Sequence, residues 1–437
     1  MFWIEGMQPR LFSRRDSSFT SFRNFIACTG LVFLLLLIGT GAAYPSSHYI
    51  VVAKDGSGDY GTITAAINSL PMFNYQRVII FIKNGVYDEK IRITQDNVTL
   101  EGQSRDSTII EYDQLRSDWN AHKDAIGPAV VNIHADDIVI ENLTIRNTQP
   151  EVGPHAFAVY GTGTRTILLN CNVLSKGSDT VSMWDYKTGM YYYANCSFEG
   201  AVDFVCPRGW CFVKDCRFYE LKNVPSIWHA GGYNIDQKFV IENSLFDGVK
   251  GFELGRHHYE AQFYLLNCTF SGNMADRLIY RVTYKDSAKD RPFNWGETDY
   301  YYNCHREGGD YSWFADNLST AAGNPTPSEI TPAWTFENKW DPESTQGPMV
   351  LNYRIHGMHV LLFFAEPITV IGIPVLRSGD GTLFKYRSGA GSDTLLFDSV
   401  HRISRSDLFG LILISGGKLL GTTASIGLRE VDLNGGR

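Results

Sequence analysis

One short pattern recurs along this chain: two apolar residues, a polar one that is usually Asn, a small or apolar residue, a polar one and an apolar one. Its first clear occurrence is Ile140-Glu141-Asn142-Leu143-Thr144-Ile145. It returns around Asn170-Cys171, Asn195-Cys196, Asp215-Cys216, Asn243-Ser244 and Asn267-Cys268. The residue after the Asn or Asp falls at 143, 171, 196, 216, 244 and 268, in steps of 28, 25, 20, 28 and 24. A period in this range, with short β-rich segments and turn residues between them, is the signature of a solenoid. One coil cannot bury its own apolar face, so coils must stack. The pattern therefore predicts an all-β chain built on a parallel β-helix. Cys at the repeated position becomes a small core residue stacked coil upon coil. The aligned Asn residues form a hydrogen-bonded ladder at a turn. Five N-x-S/T sequons occur, at Asn97, Asn142, Asn195, Asn267 and Asn317. Four of them fall in or beside repeat strands and are read as structural rather than as glycan sites.

The flanks differ from the repeats. Thr62 to Leu70 reads as a short helix stopped by Pro71, placed to cover the open end of the solenoid, where bare strand edges would aggregate. Val78 to Ile82 and Ile91 to Ile93 read as strands, with a turn at Asn84-Gly85. From Gly323 to Gly347 the chain is rich in Pro, Ser and Thr, as expected of a tail that wraps back and then links. Beyond it, Val360 to Phe364, Ile368 to Ile373 and Thr394 to Phe397 predict a small antiparallel β-sandwich-like module. The expected organisation is residues 1–43 as a signal peptide, 44–343 as the β-helix and 344–437 as linker and module.

The signal-peptide reading rests on Arg10, Arg14, Arg15 and Arg23 ahead of an apolar run from Phe25 to Ile38, then small residues through Ala43. The run is shorter than the roughly 20 residues a bilayer span needs. Cleavage is expected, with a secreted or periplasmic, cell-envelope location and no stable membrane association afterwards. Removal takes the net charge from −8 to −10, because the segment carries those four arginines against Glu5 and Asp16. An acidic chain argues against nucleic-acid binding, and any acidic substrate must be held by local basic or polar groups. Cys28 leaves with the segment, so seven of the eight cysteines remain, an odd number that excludes a fully paired disulfide framework. Cys206 and Cys211 are close enough in sequence for one disulfide. No spacing suggests a metal site.

Two carboxylates carry the candidate chemistry. Asp179 lies in Gly177-Ser178-Asp179-Thr180-Val181 and Asp203 in Gly200-Ala201-Val202-Asp203-Phe204-Val205, 24 residues or one coil apart. With a coil rise of about 4.8 Å, the two side chains are expected beside each other on one face. Two close carboxylates do not both ionise easily, which supplies one acid and one nucleophile or base. Two solvent-facing turn aspartates would give the same spacing. Arg256, in Leu254-Gly255-Arg256-His257-His258, lies about two coils beyond Asp203 and could keep one carboxylate ionised and aimed. Trp184, Tyr186 and Trp210 follow the aspartates and could stack on sugar rings or be buried. His134 with Asp136 and Asp137 reads as an ordinary turn.

Over roughly residues 48–343 the chain resembles the pectin methylesterase (pectinesterase) family. Val52-Ala53-Lys54-Asp55-Gly56-Ser57-Gly58-Asp59-Tyr60 looks like its opening strand, and Gly85-Val86-Tyr87-Asp88-Glu89-Lys90 like its G-x-Y-x-E segment. The Asp179, Asp203 and Arg256 motifs match its three catalytic blocks in order. The resemblance implies a right-handed parallel β-helix, a metal-free mechanism without cofactor, and methyl-esterified pectin as substrate of a monomeric enzyme. It implies that Asp203 attacks the ester carbonyl, Asp179 protonates the departing methanol and then activates water, and Arg256 holds Asp203. Ser178 and His155 stand where the family has glutamines that stabilise the oxyanion, and His257-His258 where it has an aromatic pair. Cys206-Pro207 replaces the Phe-Gly that ends the nucleophile motif. Ser178, His155, Trp184, Trp210 and His258 are therefore the candidate substrate-binding residues. Two other readings remain at this stage: an esterase acting on a different carbohydrate or acyl ester, and a non-catalytic β-helix that binds cell-wall polysaccharide.

Overall fold

The computed structural model describes residues 49–74, 76–231, 234–290, 292, 295, 298–344, 350–364, 366–404, 408, 411–421 and 433. The expected signal segment lies outside the described residues.

Between Tyr49 and Arg306 the chain repeats one path, strand to strand to strand, around a single apolar interior. The result is three parallel sheets. Sheet I has ten strands, from Tyr49–Val52 to Asp299–Tyr302. Sheet II has nine, from Gly85–Asp88 to His305–Arg306, and sheet III eight, from Ile91–Ile93 to Tyr280–Arg281. This is a right-handed parallel β-helix, the hand that parallel crossovers take almost without exception.

Register explains the core. In sheet II, Ile145, Val173, Phe198, Phe218, Phe246 and Phe270 stand one above the other. Phe218 and Phe246 stack at 4.3 Å with ring planes 7° apart. In sheet III, Val131, Val159, Val181, Val205 and Ile227 form the facing column. Burial of such columns is the main stabilising term of a solenoid.

The corner between sheets I and II carries the repeat. Asn142, Asn170, Asn195, Asp215, Asn243, Asn267 and Asn303 all adopt φ between +49° and +57°, the left-handed region that Asn and Asp tolerate best. Asn170 Nδ2 donates to Asn142 Oδ1 at 2.9 Å, and Asn195 Nδ2 to Asn170 Oδ1 at 3.0 Å. Asn303 Nδ2 donates to Asn267 Oδ1 at 2.9 Å. The next residue of each coil points inward, and the thiols do more than fill space. Cys196 Sγ accepts from the Cys171 amide at 3.5 Å, and Cys216 Sγ from the Cys196 amide at 3.3 Å. Cys304 extends the column beyond the six repeats legible in the sequence.

At the N-terminal end, Ile63–Asn68 is helical, and its Thr62 cap accepts from the Ala65 amide at 3.2 Å. Ile63, Ala66 and Ile67 close the end of the core. After the last coil the chain runs back over the outer face of sheet I. Leu318, Ile330, Phe336 and Trp340 cover the outward column Ile167, Tyr192, Phe212, Val240 and Tyr264. That face is apolar because the tail buries it.

Residues Val350–Gly421 fold into a single six-stranded antiparallel sheet with its own core of Val360, Leu362, Phe384, Leu395 and Phe397. This is the small antiparallel β module expected from the sequence. The long strand Ile368–Arg377 pairs on both edges, and register shifts between Gly372 and Leu376 bend it along its length. Thr369 Oγ1 accepts from the Arg77 amide at 2.9 Å, which joins this sheet to an early coil.

Candidate active site

The corner between sheets II and III positions the carboxylates. The register Val181 to Val205 sets Asp179 directly beside Asp203 on consecutive coils, as the 24-residue spacing predicted. Both residues are left-handed, with φ of +59° and +56°, and Val202 before the second is at +51°. The corner throws both side chains out over sheet III.

The outer face of sheet III forms the floor of the cleft. Its central column runs Arg92, Asn132, Tyr160, Ser182, Cys206, Trp228, Arg256 and Tyr280. Arg256 reaches down this column to Asp203. Its Nε lies 2.9 Å from Oδ1 and 3.1 Å from Oδ2, and its Nη2 lies 2.6 Å from Oδ2. The fork orients the carboxylate and favours its charged form. Asp179 accepts no side-chain hydrogen bond among the described residues; His155 Nε2 stands 3.9 Å from its Oδ2.

Burial pushes both aspartates up to about 6. For Asp203 the direct bond to Arg256 opposes burial, and the neighbouring Asp179 adds to the rise. For Asp179 the opposing charges are Arg208, Arg116 and Arg256. Only Asp203 is bonded to a guanidinium, which favours the charge on Asp203 over Asp179. Burial, together with the charge of Arg116, lowers His155 and keeps its imidazole neutral near pH 7.

Trp184 lies along the cleft, its Nε1 donating to Ser182 Oγ at 2.7 Å. The Arg208 guanidinium sits 4.0 Å from the Trp184 ring centre and 5.0 Å from that of Trp228. Arg116 sits 5.5 Å from Trp184 and 5.6 Å from Phe157. The protein is acidic overall, but this stretch of cleft is basic. A cavity of about 360 Å³ continues from it, lined in part by Arg92, Arg116, Trp119, His134, Tyr160 and Trp184. His258 flanks the far side: its Nδ1 accepts from Trp228 Nε1 at 2.9 Å, and its ring stacks on Tyr284 at 4.6 Å.

Three expectations are corrected. Trp210 lies outside the cleft. It belongs to sheet I, is 4% exposed beneath the returning tail, and donates to the Asp236 carbonyl at 2.9 Å. Ser178 is beside Asp179 in sequence but buried, and its hydroxyl donates to the Gly153 carbonyl, so it offers no donor to the carboxylates. Cys206 and Cys211 are both free and buried, on sheets III and I, and Cys206 Sγ lies 3.3 Å from Ser182 Oγ. Of the histidine pair, His257 alternates inward and bonds the Tyr259 carbonyl at 2.7 Å.

Arg116, Arg208, Trp228, Tyr160 and His134 were not anticipated. Arg208 follows Asp203 by five residues. The outward column was readable once Tyr160, Ser182 and Cys206 were aligned with the coils. Arg116 comes from a long excursion between sheets II and III, and no repeat marks it.

The family model described as Pectinesterase matches residues 49–228, the span that supplies both aspartates. This chain resembles the pectinesterases. It is 27% identical over 183 residues to pectinesterase 31 of Arabidopsis thaliana, covering 40% of this chain and 56% of that protein. It is 32% identical over 177 residues to probable pectinesterase/pectinesterase inhibitor 42 of the same plant, covering 38% and 31%. The chain spans about half the length of pectinesterase 31 and of two further Arabidopsis thaliana relatives, at 56%, 44% and 45%. The fold is shared with pectin methylesterase PemA from Erwinia chrysanthemi, at a TM-score of 0.54 and 23% identity, over 67% of this chain and 98% of that one. It is shared also with the pectin methylesterase from carrot, at 0.52 and 21%, over 67% and 94%. Arg256 lies beyond the matched segment, and its bond to Asp203 ties a later coil to it.

Proposed function

We propose that this protein is an exported carboxylic-ester hydrolase that removes methyl esters from pectin through an acyl-enzyme on Asp203. The bidentate bond of Arg256 to Asp203, beside an Asp179 with no such bond, carries this reading. It separates an ionised nucleophile from a protonated acid. The basic, aromatic-lined cleft on an acidic protein suits a polymer of uronic acid units. The similarity to pectinesterases over residues 49–228 supports the same substrate class.

In the proposed reaction an Asp203 oxygen attacks the ester carbonyl carbon. Asp179 gives its proton to the methoxy oxygen as the C–O bond breaks, and methanol leaves. The resulting anhydride joins Asp203 to the uronate carboxyl. Asp179, now a carboxylate, takes a proton from water, and the hydroxide attacks the anhydride. Asp203 departs as a carboxylate and the free uronic acid remains. Ser178 is committed to Gly153, so the developing oxyanion is served by His155 and by the fields of Arg116 and Arg208. Electrostatic stabilisation of this kind is commonly the largest single contribution to acyl transfer. The same change of donors favours, as a second reading, a carboxylic ester other than the pectin methyl ester.

Methanol release from highly methylated pectin by the purified protein tests the proposal. Wild type should release methanol, and Asp203→Ala should lose about 10⁴-fold or more in kcat with the fold retained, as read by circular dichroism. Full activity of Asp203→Ala would remove the nucleophile. Inactive wild type on pectin with turnover of another carboxylic ester would select the second reading.

A further inference from the structure

Sheet II turns a carboxyl group into the core directly beneath the nucleophile corner. In Arg217–Glu220 the inward positions are Phe218 and Glu220, and Glu220 is fully buried. Its neighbours in the column are Gly200 on the coil before and Gly248 on the coil after. Neither glycine could carry a side chain here. A Cβ on Gly200 would lie 2.3 Å from Phe204 Cβ, and one on Gly248 would lie 2.5 Å from the Glu220 carbonyl oxygen. At Gly248 the missing side chain leaves space against the backbone and Cβ of Glu220, while at Gly200 that space is taken by Phe204 and Thr180.

Glu220 reaches the turn ahead of Asp203. Its Oε1 accepts from the Val202 amide at 3.4 Å and the Lys222 amide at 2.9 Å. Oε2 is buried with no hydrogen-bond partner among the described residues. Val202 is β-branched and left-handed, a strained conformation that persists only when its surroundings hold it. The Asp203 amide is fixed on the other side by the Pro225 carbonyl at 2.7 Å. The corner that aims Asp203 is therefore held by the Pro225 carbonyl, by the Asp179 amide, which donates to the Val202 carbonyl at 3.3 Å, and by one buried carboxyl.

We propose that Glu220 is a positioning residue, which as a neutral carboxylic acid holds the left-handed Val202-Asp203 pair so that Asp203 meets both Arg256 and the substrate. This rests on the reading of Asp203 as nucleophile. The charged groups around Glu220 are Asp203, with its partner Arg256, and Lys222. Burial drives Glu220 up to about 9, against the amide bonds it accepts from Lys222 and Val202; Asp203 adds to the rise and the Lys222 charge opposes it. Ionisation at alkaline pH would place a second negative charge in the core beside the nucleophile.

The test compares wild type, Glu220→Gln and Glu220→Ala on methylated pectin across pH 5 to 10, with thermal unfolding of each. Gln keeps an acceptor for Val202 and cannot ionise, so Glu220→Gln should retain turnover at neutral pH. It should also lack the activity loss that wild type shows as pH passes about 9. Lys222 is present in both and cancels in the comparison. Glu220→Ala, folded at assay temperature, should lose about 10- to 100-fold in kcat with KM little changed, because the nucleophile is misaimed while the binding cleft is intact. If Glu220→Ala unfolds, the comparison of Glu220→Gln with wild type decides alone. Equal alkaline limbs for those two, or wild-type kcat in a folded Glu220→Ala, would overturn the role while leaving Asp203 as nucleophile. Wild type without esterase activity would remove the reading beneath it, and the role with it.

Discussion

The corner between sheets I and II and the corner between sheets II and III both turn on residues with φ near +50° to +60°, yet they are filled differently. At the first, nearly every coil supplies Asn, whose side chain bonds to the next Asn, and whose left-handed backbone is tolerated. At the second, two adjacent coils supply Asp179 and the pair Val202-Asp203, two carboxylates of which only Asp203 has a guanidinium partner, and a β-branched residue. One corner is self-satisfied and repeats. The other holds like charges together, buries them and strains its backbone, and it occurs once. The backbone device is shared, and the side chains decide whether it stabilises the stack or stores free energy at a reactive pair.

Three substitutions sharpen that contrast, the largest effect first. Arg256→Ala should lower kcat by about 10²–10³ with the fold retained, because Asp203 loses the group that aims it and keeps it charged. A kcat within tenfold of wild type would show that the corner alone aims Asp203. Asp179→Asn should lose activity yet stabilise the protein at pH 8 and leave stability unchanged at pH 3. The sign follows from linkage. The folded pKa of Asp179 is raised to about 6 from 3.8, so the folded state binds more protons than the unfolded one between those values. The stability it withholds is absent below the lower value and complete above the upper, about 2–3 kcal/mol. Urea unfolding at the two pH values reads this out, and equal stability of variant and wild type at pH 8 would contradict the burial argument. Asn170→Ala should cost about 1–2 kcal/mol, from a lost ladder bond on each side and a less tolerant left-handed residue, with kcat unchanged. A fall in kcat would mean that the two corners are coupled through the core.

Much of this was legible from residues alone. The Asn–Cys repeat gave coil length, inward column and ladder, because stacking forces every coil to solve the same packing problem at the same position. The same arithmetic paired Asp179 with Asp203 and brought Arg256 within reach. Trp210 was misread for a physical reason: sheet I has apolar residues on both faces, and sequence does not say that the returning tail buries the outer one. Ser178 was misread because a hydroxyl beside a carboxylate in sequence points elsewhere once Ser178 bridges to His155 and its hydroxyl meets the Gly153 carbonyl. The bend of Ile368–Arg377 depends on bulges that hydropathy does not mark.

What the sequence by itself determined is whatever repeats: the solenoid, its register, and the side-by-side aspartates, since local pattern and stacking there point to the same answer. Tertiary structure alone decided what is brought from afar and happens once. Arg208 between two indoles, Arg116 beside Trp184, and Glu220 turned inward between two glycines each depend on neighbours from several coils, and burial acts on a carboxyl group only after those coils have closed around it.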